Sequence, residues 1–174
     1  IGNPINHSLS PELHNYWIKQ NNIDAIYDKK KLNDNELANI IFDVKQQVIS
    51  GVNVTVPFKN SVVPYLDELS DEAKKTQAVN TVYLKDEKVI GHNTDTVGFE
   101  KAIKKINFNF NNKKIFILGA GGVVPSIVYS SIKMGSSKIF VSNRTKSKAE
   151  KVKEIFDKIQ VVNWGDMPNF DVVI

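Results

Sequence analysis

The chain has 174 residues, 41% hydrophobic and 24% charged, with a formal net charge of +4: an ordinary globular composition, long enough for one large core or two small ones. It has no cysteine, which excludes disulfides, thiolate metal sites and a cysteine nucleophile, and its three histidines, His7, His14 and His92, fall in no metal-ligand spacing, so no metal is expected. No apolar run is long enough to span a bilayer and the first residues carry no secretory pattern, which with the missing cysteines gives the expectation of a cytoplasmic protein with no membrane partner. The one tight basic cluster, Lys29 to Lys31, lacks interleaved aromatic residues, so no nucleic-acid partner is expected, and the positive balance suits small anionic ligands.

In chain order, residues 1–3 read as the tail of a strand and residues 3–10 as a polar loop. Ser10-Pro11-Glu12 is a helix start, with Ser10 as N-cap, proline at the first position and an acid in the first turn. Leu13, Tyr16 and Trp17 form an apolar stripe, and Asn21-Asn22 stops the helix. The hydroxyls of Ser8 and Ser10 thus stand at a helix N-terminus, a place that favours anions; capping alone would also account for Ser10. A strand is expected within 23–32, with Ala25 and Tyr27 on one face. A helix follows from Asp34, with Leu37, Ile40, Ile41 and Val44 at helical spacing.

Val52, Val54 and Val56 alternate with polar residues, the period of a half-buried strand over 51–56. Pro57 ends it and opens a short helix to Val63. Lys59 then sits just past a strand end, on the same edge as Thr55 and Asn53, where its amine can exchange a proton with a substrate oxygen. A solvated surface lysine is the plainer reading of any single lysine here. Strand–helix–strand order predicts parallel pairing. Ser70-Asp71-Glu72 begins a short helix, and 78–84 with 88–90 form a hairpin. Asn80 lies inside the first hairpin strand, where asparagine is unfavourable; structural hydrogen bonding and ligand contact explain it equally well.

Asp95 opens a helix with Phe99, Ala102, Ile103 and Ile106 on one face, bridging to a second unit past the asparagine-rich residues 107–112. Asp95 reads either as a first-turn acid stabilised by the helix dipole or as a partner for Lys59. From Lys113 the pattern becomes repeated β-α units. Ile115 to Leu118 is a strand buried on both faces. Gly119-Ala120-Gly121-Gly122 turns into a helix from about Gly122 to Met134, the context of a dinucleotide pyrophosphate site that includes Val123. Val124 replaces the fingerprint's third small residue, and Pro125 is tolerated in a first turn. Strands at 138–141, 159–162 and 172–174 and a helix at 147–158 complete the alternation. After the second strand stand Asn143, Arg144, Thr145 and Lys148, with no acid between Lys138 and Ala149. That substitutes a 2′-phosphate site for a 2′-hydroxyl site and favours NADP over NAD.

Seven motifs fall in one order: Gly2-Asn3-Pro4-Ile5; His7-Ser8-Leu9-Ser10-Pro11 with Asn15; Asn53-Val54-Thr55-Val56-Pro57-Phe58-Lys59; Ala78-Val79-Asn80-Thr81; Gly91-His92-Asn93-Thr94-Asp95; Gly119-Ala120-Gly121-Gly122; and Asn143-Arg144-Thr145. In these the chain resembles the shikimate dehydrogenase family. The resemblance implies an α/β fold: a substrate domain with a mostly parallel sheet over 1–94, a bridging helix and linker over 95–112, and a C-terminally incomplete Rossmann-type, doubly wound NADP domain over 113–174. It implies reversible NADPH-dependent reduction of 3-dehydroshikimate to shikimate, as a monomer or homodimer. Ser8 and Ser10 would meet the substrate carboxylate and Asn80 a hydroxyl, with Thr55, Lys59 and Asp95 also binding; Lys59 would transfer the proton and Asp95 orient it. A quinate/shikimate dehydrogenase using NAD and a non-catalytic ligand sensor are the alternatives. Because the chain begins at Ile1 and ends in a strand pattern, and members of the family continue further, a longer natural protein is expected.

Overall fold

A computed structural model describes all residues, 1–174. Its elements build two α/β lobes, each around its own sheet and core. In the first lobe, helix α1 (Ser10–Gln20) and helix α2 (Leu37–Lys45) precede strand β1 (Gly51–Asn53). Strand β2 (Glu68–Leu69), helix α3 (Asp71–Thr76) and the hairpin β3 (Thr81–Lys85) and β4 (Lys88–His92) follow. The sheet order is β1-β3-β4-β2. Asp86 and Glu87 both take positive φ in the two-residue turn, which matches the twist of a tight hairpin. Leu37, Ile40, Ile41 and Val44 are all buried, as their spacing predicts, and pack with Val54, Phe58, Val62 and Val82.

Several expectations for this lobe are corrected. The expected parallel pair of a strand within 23–32 with the strand at 51–56 does not form: β1 pairs antiparallel with β3, and the parallel contacts are β2 with β4 and a bridge from Gly2 to Lys31, so the sheet is mixed. β1 also stops at Asn53. Beyond it the backbone changes neighbours: Val54 N–H donates to Asn80 O, Thr55 N–H to Ile1 O, and Val56 O accepts from Asn3 N–H. Val56 is exposed. Residues 56–62 form successive turns rather than a helix, closing into a 3-10 turn at Val63–Tyr65. Pro64 has no N–H to donate to Asn60 O, so the turns do not run on as an α-helix there. Residues 23–30 form no strand, because the side chain of Asn15 takes both backbone groups of Tyr27, at 2.8 and 2.9 Å.

Helix α1 begins differently as well. Leu9 is its N-cap position, and Ser10 is the first helical residue with no side-chain cap. The stripe Leu13, Tyr16, Trp17 stays largely exposed. The helix is anchored by its other side, where His14 stacks on Tyr27 with ring centroids 4.2 Å apart. The start of α3 is as expected: Ser70 Oγ accepts the Ala73 N–H at 3.2 Å. Ser70→Ala should therefore cost about 1 kcal/mol, read as a lower urea midpoint at unchanged slope. Asp67 supports the sheet differently. Its carboxylate accepts the Val89 N–H at 2.8 Å, which, with Lys45 adding a smaller effect, holds its pKa below the ordinary 3.8. A depressed folded pKa contributes stability above the ordinary value and loses it as pH falls through the folded value. Asp67→Asn should thus be less stable than wild type at pH 6, and the gap should narrow as pH falls below the ordinary carboxylate range, measured by urea unfolding at each pH.

Helix α4 (Asp95–Lys105) leads to the second lobe, whose strands β5 (Lys114–Leu118), β6 (Lys138–Ser142), β7 (Ile159–Val162) and β8 (Val172–Val173) alternate with α5 (Val124–Lys133) and α6 (Lys146–Ile155). All pair in parallel, in the order β7-β6-β5-β8. This is one half of a doubly wound sheet, with the chain reversing direction across β5. Ile115, Phe116 and Ile117 are buried, while Leu118 emerges at the C-terminal end of β5. Val124 is buried in this core and Pro125 lies in the first turn of α5, so both depart from the fingerprint without disturbing the helix. On α4, Phe99 and Ile103 pack on this core; Ile106 is exposed past the helix end.

Candidate active site

The loop 54–62 is fixed by three buried apolar anchors, Val54, Phe58 and Val62, each worth about 1.5–3 kcal/mol. Lys59 lies between them. Its backbone carbonyl accepts the Val79 N–H at 2.8 Å, and its ammonium reaches Asp95 Oδ2 at 2.6 Å. The two side chains are only 13% and 23% exposed, so the pair is largely withdrawn from water. Asp95 Oδ1 accepts from Asn80 Nδ2 at 2.9 Å, and the Asp95 N–H donates to Asn93 Oδ1 at 2.9 Å. Asp95 is thus both a first-turn acid of α4 and the partner of Lys59. Asn80 sits just before β3 rather than inside it. Its Oδ1 accepts from the Thr94 N–H and the Thr81 hydroxyl, and its Nδ2 also reaches Thr94 Oγ1, which answers why an asparagine stands there.

Ser8, Ser10 and Thr55 gather elsewhere, around a cavity of about 360 Å³ also lined by His7, Tyr27, Lys29 and Asn53. This lies within the size range of small-molecule sites. The Ser10 N–H donates to Ser8 Oγ at 3.3 Å, and the Lys29 ammonium donates to Asn6 O at 2.6 Å, which pins the loop that carries Ser8. Gly2 is required beneath it: a Cβ there would stand 2.6 Å from Thr55 Cγ2 and 3.2 Å from Val56 O. Lys59, Asn80 and Asp95 do not line this cavity. Asn53 joins the two groups, because it lines the cavity while its Nδ2 donates to Thr81 Oγ1 at 3.2 Å and Asn80 O at 3.3 Å. Its Oδ1 accepts the Tyr27 hydroxyl at 3.0 Å. Burial raises the Tyr27 pKa above its ordinary value, which keeps that hydroxyl protonated and donating. Asn53 is the residue the sequence-derived substrate set omits, although its alternation with Thr55 puts both on one edge. A larger groove of about 630 Å³ behind residues 24–30 is lined mainly by apolar side chains such as Ile26, Ile40 and Val48, and holds none of the predicted site residues.

The glycine turn opens from the end of β5. Gly119 has φ of +136°, a conformation that favours glycine, and its N–H donates to Ser142 O at 2.8 Å. A Cβ added to Gly119 or Gly121 would meet no atom within 4 Å, so there is open space above the turn at the N-terminus of α5. Gly122 faces the first lobe: a Cβ there would touch Lys59 Cδ at 3.6 Å. Ala120 packs on the second core and Val123 is partly exposed. Beyond β6, Asn143 Nδ2 donates to Thr145 O at 2.8 Å and the Lys148 N–H to Thr145 O at 3.0 Å, which fixes the turn. Arg144, Thr145 and Lys148 are exposed on it. Open space at a helix N-terminus beside exposed cations fits a dinucleotide phosphate group. No group of His, Cys, Asp or Glu side chains is arranged to hold a metal ion, and no helix is long and apolar enough to cross a membrane.

Fold and loop define a two-lobe α/β protein whose second lobe is of the Rossmann dinucleotide-binding type, with a lysine–aspartate pair of the first lobe against its glycine turn. The chain belongs to the shikimate dehydrogenase family. The family model described as the shikimate dehydrogenase substrate binding domain matches residues 1–82, and the one described as shikimate / quinate 5-dehydrogenase matches residues 100–174. The shikimate dehydrogenase (NADP(+)) of Pelagibacter ubique is 50% identical over 174 residues, covering 100% of this chain and 66% of that protein. The crystal structure of shikimate dehydrogenase from Aquifex aeolicus superposes with a TM-score of 0.84 at 41% identity, over 93% of this chain and 60% of that one. The Thermus thermophilus shikimate 5-dehydrogenase, solved in complex with NADP(H) and shikimate, gives a TM-score of 0.80 at 30% identity, over 92% and 60%. The chain therefore spans less than two thirds of the length of these relatives.

Proposed function

We propose that the protein is an NADP-dependent shikimate dehydrogenase that interconverts 3-dehydroshikimate and shikimate. The observation that carries this reading is the Lys59–Asp95 pair at 2.6 Å, packed directly against Gly122 of the glycine turn. When bound, NADPH supplies the hydride, which no side chain can deliver. The chain's own residues do the rest. Lys59, as ammonium, donates a proton to the carbonyl oxygen of the substrate as that carbon is reduced, and takes it back in the reverse direction. Asp95 holds the ammonium in place and accepts from a substrate hydroxyl. Asn80 orients Asp95 through Oδ1 and meets a neighbouring hydroxyl. Ser8 and Ser10 bind the carboxylate in the 360 Å³ cavity, with Thr55 on its wall and the Lys29 charge close by.

In the second lobe Gly119, Ala120, Gly121, Gly122 and Val123 receive the pyrophosphate at the N-terminus of α5. Asn143, Arg144, Thr145 and Lys148 would hold the adenosine end, and Arg144 would supply the charge that pairs with a 2′-phosphate. This divides the chain into a substrate domain over 1–94, a bridge over 95–112 and a cofactor domain over 113–174. The protein works in the cytoplasm as a monomer or homodimer. The test is NADPH formation by the natural full-length protein with shikimate, with quinate and NAD as comparators. Turnover with shikimate and NADP+ supports the reading; equal turnover with quinate or NAD moves it to the broader quinate/shikimate class. Binding of shikimate without turnover overturns it in favour of a sensor.

A further inference from the structure

We infer that Asn93 and Ser126 are a positioning pair, which registers the Lys59–Asp95 pair against the glycine turn across the boundary between the lobes. The inference rests on the reading above, that these two features serve one reaction. Asn93 is fully buried, yet it is polar and lies at the end of β4 rather than in a ligand cavity. Its Oδ1 accepts the Asp95 N–H at 2.9 Å. Its Nδ2 reaches three acceptors: Thr76 Oγ1 at 3.0 Å, Ala78 O at 2.9 Å and Ser126 Oγ at 2.9 Å. The Thr76 hydroxyl donates to Glu72 O at 2.7 Å, which leaves its oxygen free to accept. Ser126, also fully buried, belongs to the first turn of α5, and its N–H donates to Val123 O at 3.0 Å. One carboxamide therefore ties the backbone of Asp95 to the turn that follows the glycines.

The tie is the first rung of a ladder. Ser130 Oγ donates to Thr96 O at 3.1 Å, and the Lys133 ammonium pairs with Glu100 at 2.7 Å. Thr96 and Glu100 share one face of α4, and Ser126, Ser130 and Lys133 one face of α5; Asn93, just before α4, extends the line of contacts to Ser126. The serines at 126 and 130 are small, so the helices approach closely. An apolar seam would hold the lobes at least as well, since buried polar contacts add little net stability. What directional rungs add is register: a slide of one residue breaks all three together. Register matters here because Gly122, four residues before Ser126, lies against the Lys59 stem. A misplacement of about an ångström between reacting groups costs up to about a hundredfold in rate.

Ser126→Ala is the informative variant, because Asn93 Nδ2 keeps two acceptors and the fold is retained. Ser131→Ala is its control. Ser131 is a fully buried serine of the same helix whose hydroxyl donates to Ile127 O within that helix. In the natural full-length protein, Ser126→Ala should lower kcat for shikimate oxidation about tenfold with KM for shikimate and NADP+ within about twofold. Ser131→Ala should leave kcat unchanged. Asn93→Ser should also lower kcat, and the double variant should be no slower than Asn93→Ser alone, since Ser126→Ala acts only through the bond that Asn93→Ser has already removed. Amide exchange at Asp95 and in the first turn of α5 should quicken in Ser126→Ala but not in Ser131→Ala. Equal effects of the two serine variants, or additive losses in the double variant, would overturn the inference. Should the wild-type protein fail to oxidise shikimate, the functional reading falls, and the exchange comparison still decides the tie: unchanged exchange in Ser126→Ala refutes it.

Discussion

Lys59→Ala in the natural full-length protein should lower kcat for shikimate oxidation by roughly a hundred- to ten-thousandfold, the range for loss of a general acid–base group, with far less effect on the affinity for shikimate. The geometry sets this split. Lys59 does not line the cavity where Ser8, Ser10 and Thr55 collect, so most of the grip on the carboxylate survives its removal. Its ammonium is committed to Asp95 at 2.6 Å, in a place only 13% exposed, which water replaces poorly as a proton donor. The fold should survive as well. The turn is pinned by Phe58 and Val62 and by the Lys59 backbone carbonyl, none of which the substitution touches, and Asp95 still accepts from Asn80 Nδ2 and donates its N–H to Asn93 Oδ1. Steady-state kinetics paired with equilibrium shikimate binding checks the prediction. A loss confined to KM would make Lys59 a binding group only.

Arg144→Ala should raise KM for NADP+ by about ten- to a hundredfold, the worth of one or two charge-assisted hydrogen bonds to a phosphate, while activity with NAD stays where it was. Arg144 is exposed at the tip of the turn between β6 and α6, and Asn143 Nδ2 bonding to Thr145 O keeps that tip in shape. No acid stands there to bind a ribose 2′-hydroxyl, so the arginine is the proposed discriminator. Lysine at 144 should restore only part of the preference, because a single ammonium cannot make the forked contact. The ratio of kcat/KM for NADP+ over NAD, measured across the three proteins, is the readout. A ratio unmoved by Arg144→Ala would reassign the phosphate contact to Thr145 or Lys148.

The second lobe was legible because its signals are local. A buried strand, a glycine turn and a helix follow one another within twenty residues, and each strand pairs in parallel with strands built the same way. Lys59 and Asp95 were legible as candidates from their motifs, and the structure brings them into contact. The first lobe was harder because distant residues decide its local structure. Nothing near Tyr27 in the sequence says that Asn15 will take both its backbone groups and keep 23–30 out of a ladder. The antiparallel pairing of β1 depends on where the hairpin docks, which strand–helix–strand order does not reveal. Asn93 was readable only as the end of a strand. Its burial among Thr76, Ala78 and Ser126 joins elements from both lobes, and a periodicity within one of them carries no trace of that.

On the proposed function, the lysine–aspartate pair and the glycine turn serve one hydride transfer. The most direct test uses the natural full-length protein with NADPH deuterated at the transferring position and 3-dehydroshikimate, followed by NMR of the product. The product should be shikimate carrying one deuterium on the carbon that bore the ketone, formed by wild type and lost in step with activity in Lys59→Ala. Cofactor and substrate that both bind while no deuterium reaches that carbon would contradict it.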